Sequence, residues 1–276
     1  MNEINSFQDE YAFLSNFYPC TIVDRKGNVW PSSEHLYQAM KSTDPKVQKV
    51  IREFPFKGLK AIGKGLTIRQ DWDTVKLDYM EKIVRLKFTQ NKDLQKQLLN
   101  TYPAILIEDN YWHDNYWGNC ACLKCTAIPG YNWLGKILVK IRAEFKLDTG
   151  NIQELAPNEI FVFGSNLDGR HGKGAAKTAH DKFGAEYGVG EGPTGQCYAI
   201  PTKDRNLHII SLSDITLSVR TFIKHVFEDS NKLYLLTPIG CGLAGYTPDQ
   251  IAPLFDRHLF NLVIPKIFKD ILTAHN

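Results

Sequence analysis

The chain has no run of eighteen apolar residues, which argues against a membrane-spanning helix. It does not open on a basic stretch followed by an apolar one, so no secretory signal peptide is expected. Internal repeats, low-complexity tracts and charged tails are also missing, so a repeat architecture is not expected. Cysteine is sparse, at 6 in 276 residues, and a disulfide framework is not expected in a chain assigned to the cytoplasm. Net charge is only +3, and the small excess of Lys and Arg lies in the first half. That permits a polyanionic substrate without requiring one.

What is present is a globular composition, 43% apolar and 12% aromatic, long enough for two domains. A turn-rich stretch from Leu147 to Pro157 separates a helical pattern from a new strand signal. We therefore expect a first domain over 1–147, a linker over 148–156 and a second domain over 157–276. The first half is α+β and mostly helical, with helices expected near 34–42, 44–54, 74–90, 91–100 and 133–145. The second half alternates strands at 159–163, 197–201, 207–212 and 232–239 with helices at 174–184, 215–228, 248–259 and 264–273. Such alternation predicts a three-layer α/β domain with a mixed, largely parallel sheet.

Two glycine-rich turns follow strand signals in the second half. One is Ile160-Phe-Val-Phe-Gly-Ser-Asn166 with Gly172-Lys-Gly-Ala-Ala176; the other is Thr237-Pro-Ile-Gly-Cys-Gly-Leu-Ala-Gly-Tyr246. Glycine lets backbone N–H groups approach a ligand, and a helix N-terminus favours an anion there. Two such loops on one α/β pattern point to a diphosphate. Without a ligand, the same glycines would only make tight turns. The pattern resembles a macrodomain over about 157–273. That resemblance implies ADP-ribose binding through Gly164, Asn166, Gly172, Gly174, Gly240, Gly242, Gly245 and Tyr246. Gly-Ser-Asn stands where Asn-Ala-Ala-Asn is common in that family, which directs the expectation to binding. Hydrolysis by this domain, with Asn166 positioning a water, is the alternative.

In Trp30-Pro-Ser-Ser-Glu-His-Leu-Tyr-Gln-Ala-Met-Lys41, helical spacing puts Glu34, Gln38 and Lys41 on one face and Leu36, Tyr37 and Met40 on the other. Read without function, Glu34 complements the helix dipole and the polar face is solvated. Three further segments combine aromatic and polar residues: Phe13-Leu-Ser-Asn-Phe-Tyr-Pro-Cys20, Ile68-Arg-Gln-Asp-Trp-Asp73 and Tyr111-Trp-His-Asp-Asn-Tyr-Trp-Gly118. Rings interleaved with carboxylates, Asn and Arg suit a stacked base and a ribose, although Trp112, Tyr116 and Trp117 could equally be ordinary core.

Together with Gly130-Tyr-Asn-Trp-Leu-Gly135, these segments resemble the NADAR family over residues 1 to about 147. The resemblance implies cleavage of N-glycosidic bonds, either removing ADP-ribose from modified guanine or splitting a riboflavin-pathway intermediate. It directs attention to Glu34, Lys41 and Asp114 as catalytic residues. Ser15, Asn16, Phe17, Gln38, Asp71, Trp72, Trp117 and Asn132 are the matching substrate-binding candidates. A carboxylate would stabilise the ribosyl cation or activate a nucleophile, and Lys41 would form a Schiff base or bind phosphate. The expected ligand is ADP-ribose or an ADP-ribosylated nucleotide, extending to ADP-ribosylated DNA or RNA, with no membrane partner. The alternatives are an N-glycosidase of a ribosylamino-pyrimidine phosphate and a non-catalytic binder of ADP-ribose-type signals.

No cofactor is required by this chemistry. Cys120, Cys122 and Cys125, with His113 upstream, nevertheless offer the ligand set of a structural zinc. There is no second Cys-x-x-Cys pair, and reduced thiols with His113 in the active-site loop are the alternative.

Overall fold

Ser32, in extended backbone, accepts the His35 amide on its hydroxyl and starts helix α1 (Ser33–Ala39). Every residue of α1 is buried, including Ser33, Glu34, His35 and Gln38. The polar stripe of this helix is therefore interior. The computed structural model describes residues 3–125, 127–150, 152–255 and 259–274. It divides into two compact units, Met1–Arg142 and Ala143–Asn276, at a point upstream of the 148–156 stretch.

In the first unit, α1 packs against α2 (Pro45–Glu53), α3 (Leu59–Lys64) and α4 (Trp72–Gln90). Helix α5 (Lys92–Asn100) packs on α4, and α6 (Trp133–Asp148) runs across the division between the units. Asp44 caps α2 and Pro45 occupies its first turn, where a missing N–H has no consequence. Three two-stranded pairs complete the unit: β1 (Glu3–Ile4) with β4 (Ile105–Leu106), β2 (Ile22–Val23) with β3 (Val29–Trp30), and β5 (Asp109–Asn110) with β6 (Asn119–Cys120). The 3₁₀ helix Asp9–Leu14 and α3 carry no sequence expectation; both are six residues long, too short for a repeating apolar period.

The second unit holds a five-stranded sheet in the order β11 (Leu262–Val263), β10 (Leu233–Leu236), β7 (Glu159–Asn166), β9 (Cys197–Lys203), β8 (Gly192–Thr194). All pairs are parallel except β8 with β9. Phe161 of β7 packs on Phe183 at the end of α7 (Gly174–Phe183). Its neighbour Val162 joins the core made with α8 (Leu212–Glu228), α9 (Pro248–Ile251) and α10 (Lys266–Ala274). Successive residues of one strand thus meet helices on opposite faces, which makes three layers.

The structure corrects two expectations in this unit. The 207–212 stretch is no strand beyond an isolated bridge of Ile209 to Lys203, because Asp204 accepts the amides of Asn206 and His208 in a turn and Ser211 caps α8. The helix expected over 248–259 becomes α9 followed by a 3₁₀ turn at Ala252–Leu254 containing Pro253, and residues 256–258 lie outside the described ones.

Candidate functional site

Glu34 sits in the first turn of α1 with 5% of its surface exposed. Gln38, one turn on, donates Nε2–H to Glu34 Oε1 at 2.7 Å. Burial raises the Glu34 pKa, opposed by the Gln38 hydrogen bond and by Lys60 and Lys41, while Asp114 adds to the rise. Helix α1 ends at Ala39, earlier than expected, so Lys41 lies in the turn that follows. Its Nζ is 5.8 Å from the centre of the Tyr37 ring. Burial lowers the Lys41 pKa, against the pull of Glu34 and with the help of Lys64 and Lys60.

Tyr37 is the hub of the aromatic wall. Its ring centre is 5.2 Å from that of Trp72 and 5.5 Å from that of Trp117, the latter edge-on. Trp117 in turn meets Tyr116 at 4.8 Å, and Trp72 stacks on Tyr79 at 6.1 Å. Sequence spacing had assigned Tyr37 to the apolar side of the helix; here burial and the nearby Glu34 push its phenol well above the ordinary value.

Asp114 Oδ1 accepts the amides of Tyr116 and Trp117 at 3.2 and 2.8 Å, and Asn110 ties the turn by bonding the backbone of Trp112 and Asp114. The Asp114 carboxylate both faces the Glu34 cluster and holds its own loop. Asn132, at φ +50°, uses its amide on the backbone of Leu106 and Glu108. Asn16 is buried with its Nδ2 on Met80 Sδ, Ser15 accepts the Phe17 amide, and Lys60 lies 5.2 Å from the Phe17 ring centre. Asp71 is exposed and forms a two-point ion pair with Arg69.

Two charged groups absent from the sequence-based candidates join this cluster. Lys60, on the unforeseen α3, interacts with Glu34, Lys41 and Glu108. Glu108 is half-buried; burial, with Asp114 and Glu34 nearby, pushes its carboxyl up to about 7. A carboxylate closing the apolar run Ala104-Ile-Leu-Ile107 was the signal available for it.

The NADAR domain family matches residues 4–146. The chain belongs to the NADAR family. Among relatives of this NADAR chain, N-glycosidase YbiA of Escherichia coli (strain K12) is 36% identical over 147 residues, covering 52% of this chain and 87% of YbiA. The riboflavin biosynthesis protein VVA0006 of Vibrio vulnificus is 37% identical over 158 residues, which is 56% of this chain but 39% of that protein. The NMR structure of E. coli YbiA shares 32% identity and a TM-score of 0.47, covering 55% of this chain and 90% of that one. Among the described residues, no helix is long and apolar enough to cross a membrane.

In the second unit, both glycine loops line one cleft of about 630 Å³, at the carboxyl ends of β7 and β10. Gly164, Asn166, Gly172, Gly174, Gly240 and Gly242 line it, together with Arg170 and Lys173. Gly174 and Gly240 have φ of +58° and +72°, backbone that side chains rarely adopt. The Asn166 amide is engaged by its own loop, bonding both the N–H and the C=O of Arg170. Gly245 and Tyr246 shape the second loop: the Tyr246 amide bonds Gly240 O and its hydroxyl donates to Ile210 O at 2.6 Å.

Proposed function

We propose that the chain is an N-glycosidase that releases ADP-ribose from ADP-ribosylated guanine, and that the macrodomain-like second unit binds ADP-ribose. The observation that carries this reading is Glu34: a buried carboxylate facing Lys41, Lys60 and Asp114 beside a wall of Tyr37, Trp72 and Trp117. The glycosidase class is further supported by the name of the related N-glycosidase YbiA.

Breaking a C1′–N bond leaves positive charge on the ribose while the base departs with the bonding electrons. Glu34, whose pKa burial raises while Gln38, Lys60 and Lys41 pull it back down, is the carboxyl that meets that charge. Glu108, with its carboxyl pushed up to about 7, holds its proton below that pH and gives it to the leaving base. The aromatic wall stacks on the base. Lys41 either adds its neutral amine to C1′, with loss of a proton and opening of the C1′–O4′ bond to a Schiff base that water hydrolyses, or holds phosphate while water adds to C1′ and gives up a proton. Its lowered pKa favours the first.

The diphosphate expectation rests on the cleft itself. Positive-φ glycines, Arg170, Lys173 and the N-terminus of α7 converge on one cavity large enough for a nucleotide.

A second reading, hydrolysis of a ribosylamino-pyrimidine phosphate, is favoured by the name of the Vibrio relative. It leaves the glycine-lined cleft without a diphosphate to hold. Incubation of the full chain with ADP-ribosyl-guanine DNA, free NAD-derived nucleotides and the ribosylamino-pyrimidine phosphate, read by mass spectrometry, separates the readings. ADP-ribose released only from the first supports our proposal. Turnover of the pyrimidine alone replaces it with the second reading, and binding without turnover leaves a sequestering protein.

A further inference from the structure

We propose that His113, Cys120, Cys122 and Cys125 form a tetrahedral zinc site that fixes the loop carrying Asp114 and Trp117. The ligand atoms of these four residues all lie within 4.8 Å of one another. His113 Nδ1 is 3.2 Å from Cys122 Sγ and 3.4 Å from Cys125 Sγ. With Zn–S near 2.3 Å and Zn–N near 2.0–2.1 Å, the edges of a tetrahedron are about 3.6–3.8 Å. The four donors are therefore already gathered around one point, and small side-chain rotations complete the shell.

Local backbone supports the same assignment. His113 adopts φ +65°, a left-handed conformation that a histidine keeps when its surroundings fix it. Cys125 N bonds Cys122 O, making a turn whose tip, Leu123, is 97% exposed. An apolar side chain is thus left in water while the two flanking thiols turn towards the imidazole. Cys120 is buried at the end of β6, and its amide is held by Asn115 Oδ1 at 2.7 Å. All three cysteines are free thiols.

Three thiolates and one imidazole make a closed, soft donor set, which suits zinc and marks a structural site. Zinc enters as Zn²⁺ with loss of one proton from each of the three thiols to solvent, and no oxidant or reductant is needed. The imidazole binds as its neutral form through Nδ1. His113 directly precedes Asp114, whose carboxylate caps Tyr116 and Trp117, and Asn115 reaches both Cys120 N and Ile128 O. The ion ties together the two arms of the 110–125 loop. Its effect on chemistry rests on the glycosidase reading; its binding does not. Asp114 and Trp117 are placed by the metal, whose shell of four protein ligands leaves no position open for substrate.

The test is a cobalt titration of the full chain, purified without a polyhistidine tag, reduced and stripped of metal. Thiolate-to-cobalt charge transfer and strong visible bands should saturate at one equivalent and vanish on zinc addition. Cys122→Ser should abolish them, and Cys197→Ala, at a buried thiol on another strand, should keep them. Zinc should also slow hydrogen exchange at the Tyr116 and Trp117 amides of the parent protein at least tenfold. No cobalt bands in the parent, bands that survive Cys122→Ser, or a disulfide among these thiols in place of metal uptake each overturns the site. Cobalt bands with unchanged exchange at Tyr116 and Trp117 overturn its positioning role. Loss of turnover with an intact cobalt signature would count against the glycosidase reading and leave the metal site standing.

Discussion

Gln38 Nε2 donates to Glu34 Oε1 across one turn of α1, at 2.7 Å, with both side chains buried. The Gln38 Oε1 on the other side of that amide is buried without a hydrogen-bond partner among the described residues. Gly63 of α3 lies against it, where any Cβ would collide with the Gln38 side chain. The pair is thus clamped between helices, and Gln38 can serve Glu34 only as a donor. This fixes one Glu34 oxygen and leaves the other for a ligand.

Glu34→Gln is expected to reduce glycosidic cleavage by roughly 10²–10⁴-fold, the usual contribution of a positioned acid or base. Stability should move the other way. Burial raises the folded pKa of Glu34, so its contribution is present below the unfolded value and is lost as pH rises through the folded one. The variant should match the parent in Tm at low pH and exceed it at neutral pH. Thermal unfolding across that range checks the sign; a variant less stable than the parent at neutral pH would contradict the buried-carboxyl account.

Glu108, with a carboxyl near 7, should impose an alkaline limb on the pH–rate profile. If its proton goes to the leaving base, kcat/KM falls as pH rises through about 7. Glu108→Gln should lower the rate and flatten that limb. A limb that persists unchanged in the variant assigns the proton to another group.

Borohydride added during turnover should trap a covalent adduct on the parent protein and none on Lys41→Ala or Lys41→Arg. Arginine keeps the charge but cannot form the imine, so it separates the two roles. Activity near the parent level in Lys41→Arg, with no adduct in either protein, would leave Lys41 as a phosphate contact.

Gly242 lines the second-unit cleft, lies outside the left-handed region and has open space where a Cβ would stand. Gly242→Val should weaken ADP-ribose binding at least tenfold, measured calorimetrically, with Tm unchanged. Gly240→Val, at φ +72° and with its new Cβ 3.2 Å from Ile251 Cδ1, should also lose about 1–3 kcal/mol of stability. Unaltered affinity in Gly242→Val removes the cleft as the ligand site.

Lys87 is fully buried, donates Nζ–H to Ser15 O at 2.7 Å and has its pKa pushed down to about 8. Its folded value is depressed, so its contribution is present above the unfolded value near 10.5 and is lost as pH falls through 8. The parent should gain roughly 3 kcal/mol between pH 8 and 10.5 relative to Lys87→Met. Denaturant unfolding of both proteins over that range measures it. Parallel pH profiles would show that Lys87 titrates at its ordinary value.

Much of the architecture was legible from local pattern. Helical patterns marked α4, α5 and α8, and β-formers ending in glycine marked β7 and the loop after β10, because these signals act within a few residues. Short turns such as α3 carry no period, and the 207–212 stretch read as a strand until Asp204 and Ser211 claimed its ends. The same limit explains why Lys60 escaped notice. It is one of many lysines, and only its place on α3 gives it meaning.

The sequence by itself determined residue types and spacing: Glu34, Gln38 and Lys41 at three- and four-residue intervals, three cysteines within six residues, and two glycine turns. Tertiary structure alone decided that the polar side of α1 is buried, that Glu108 shares an electrostatic environment with Glu34, that His113 meets the thiols and that both glycine loops face one cleft. The reason is physical. Desolvation and Coulomb interaction depend on what distant segments bring within a few ångströms, and the order of residues along a chain fixes that only through the fold.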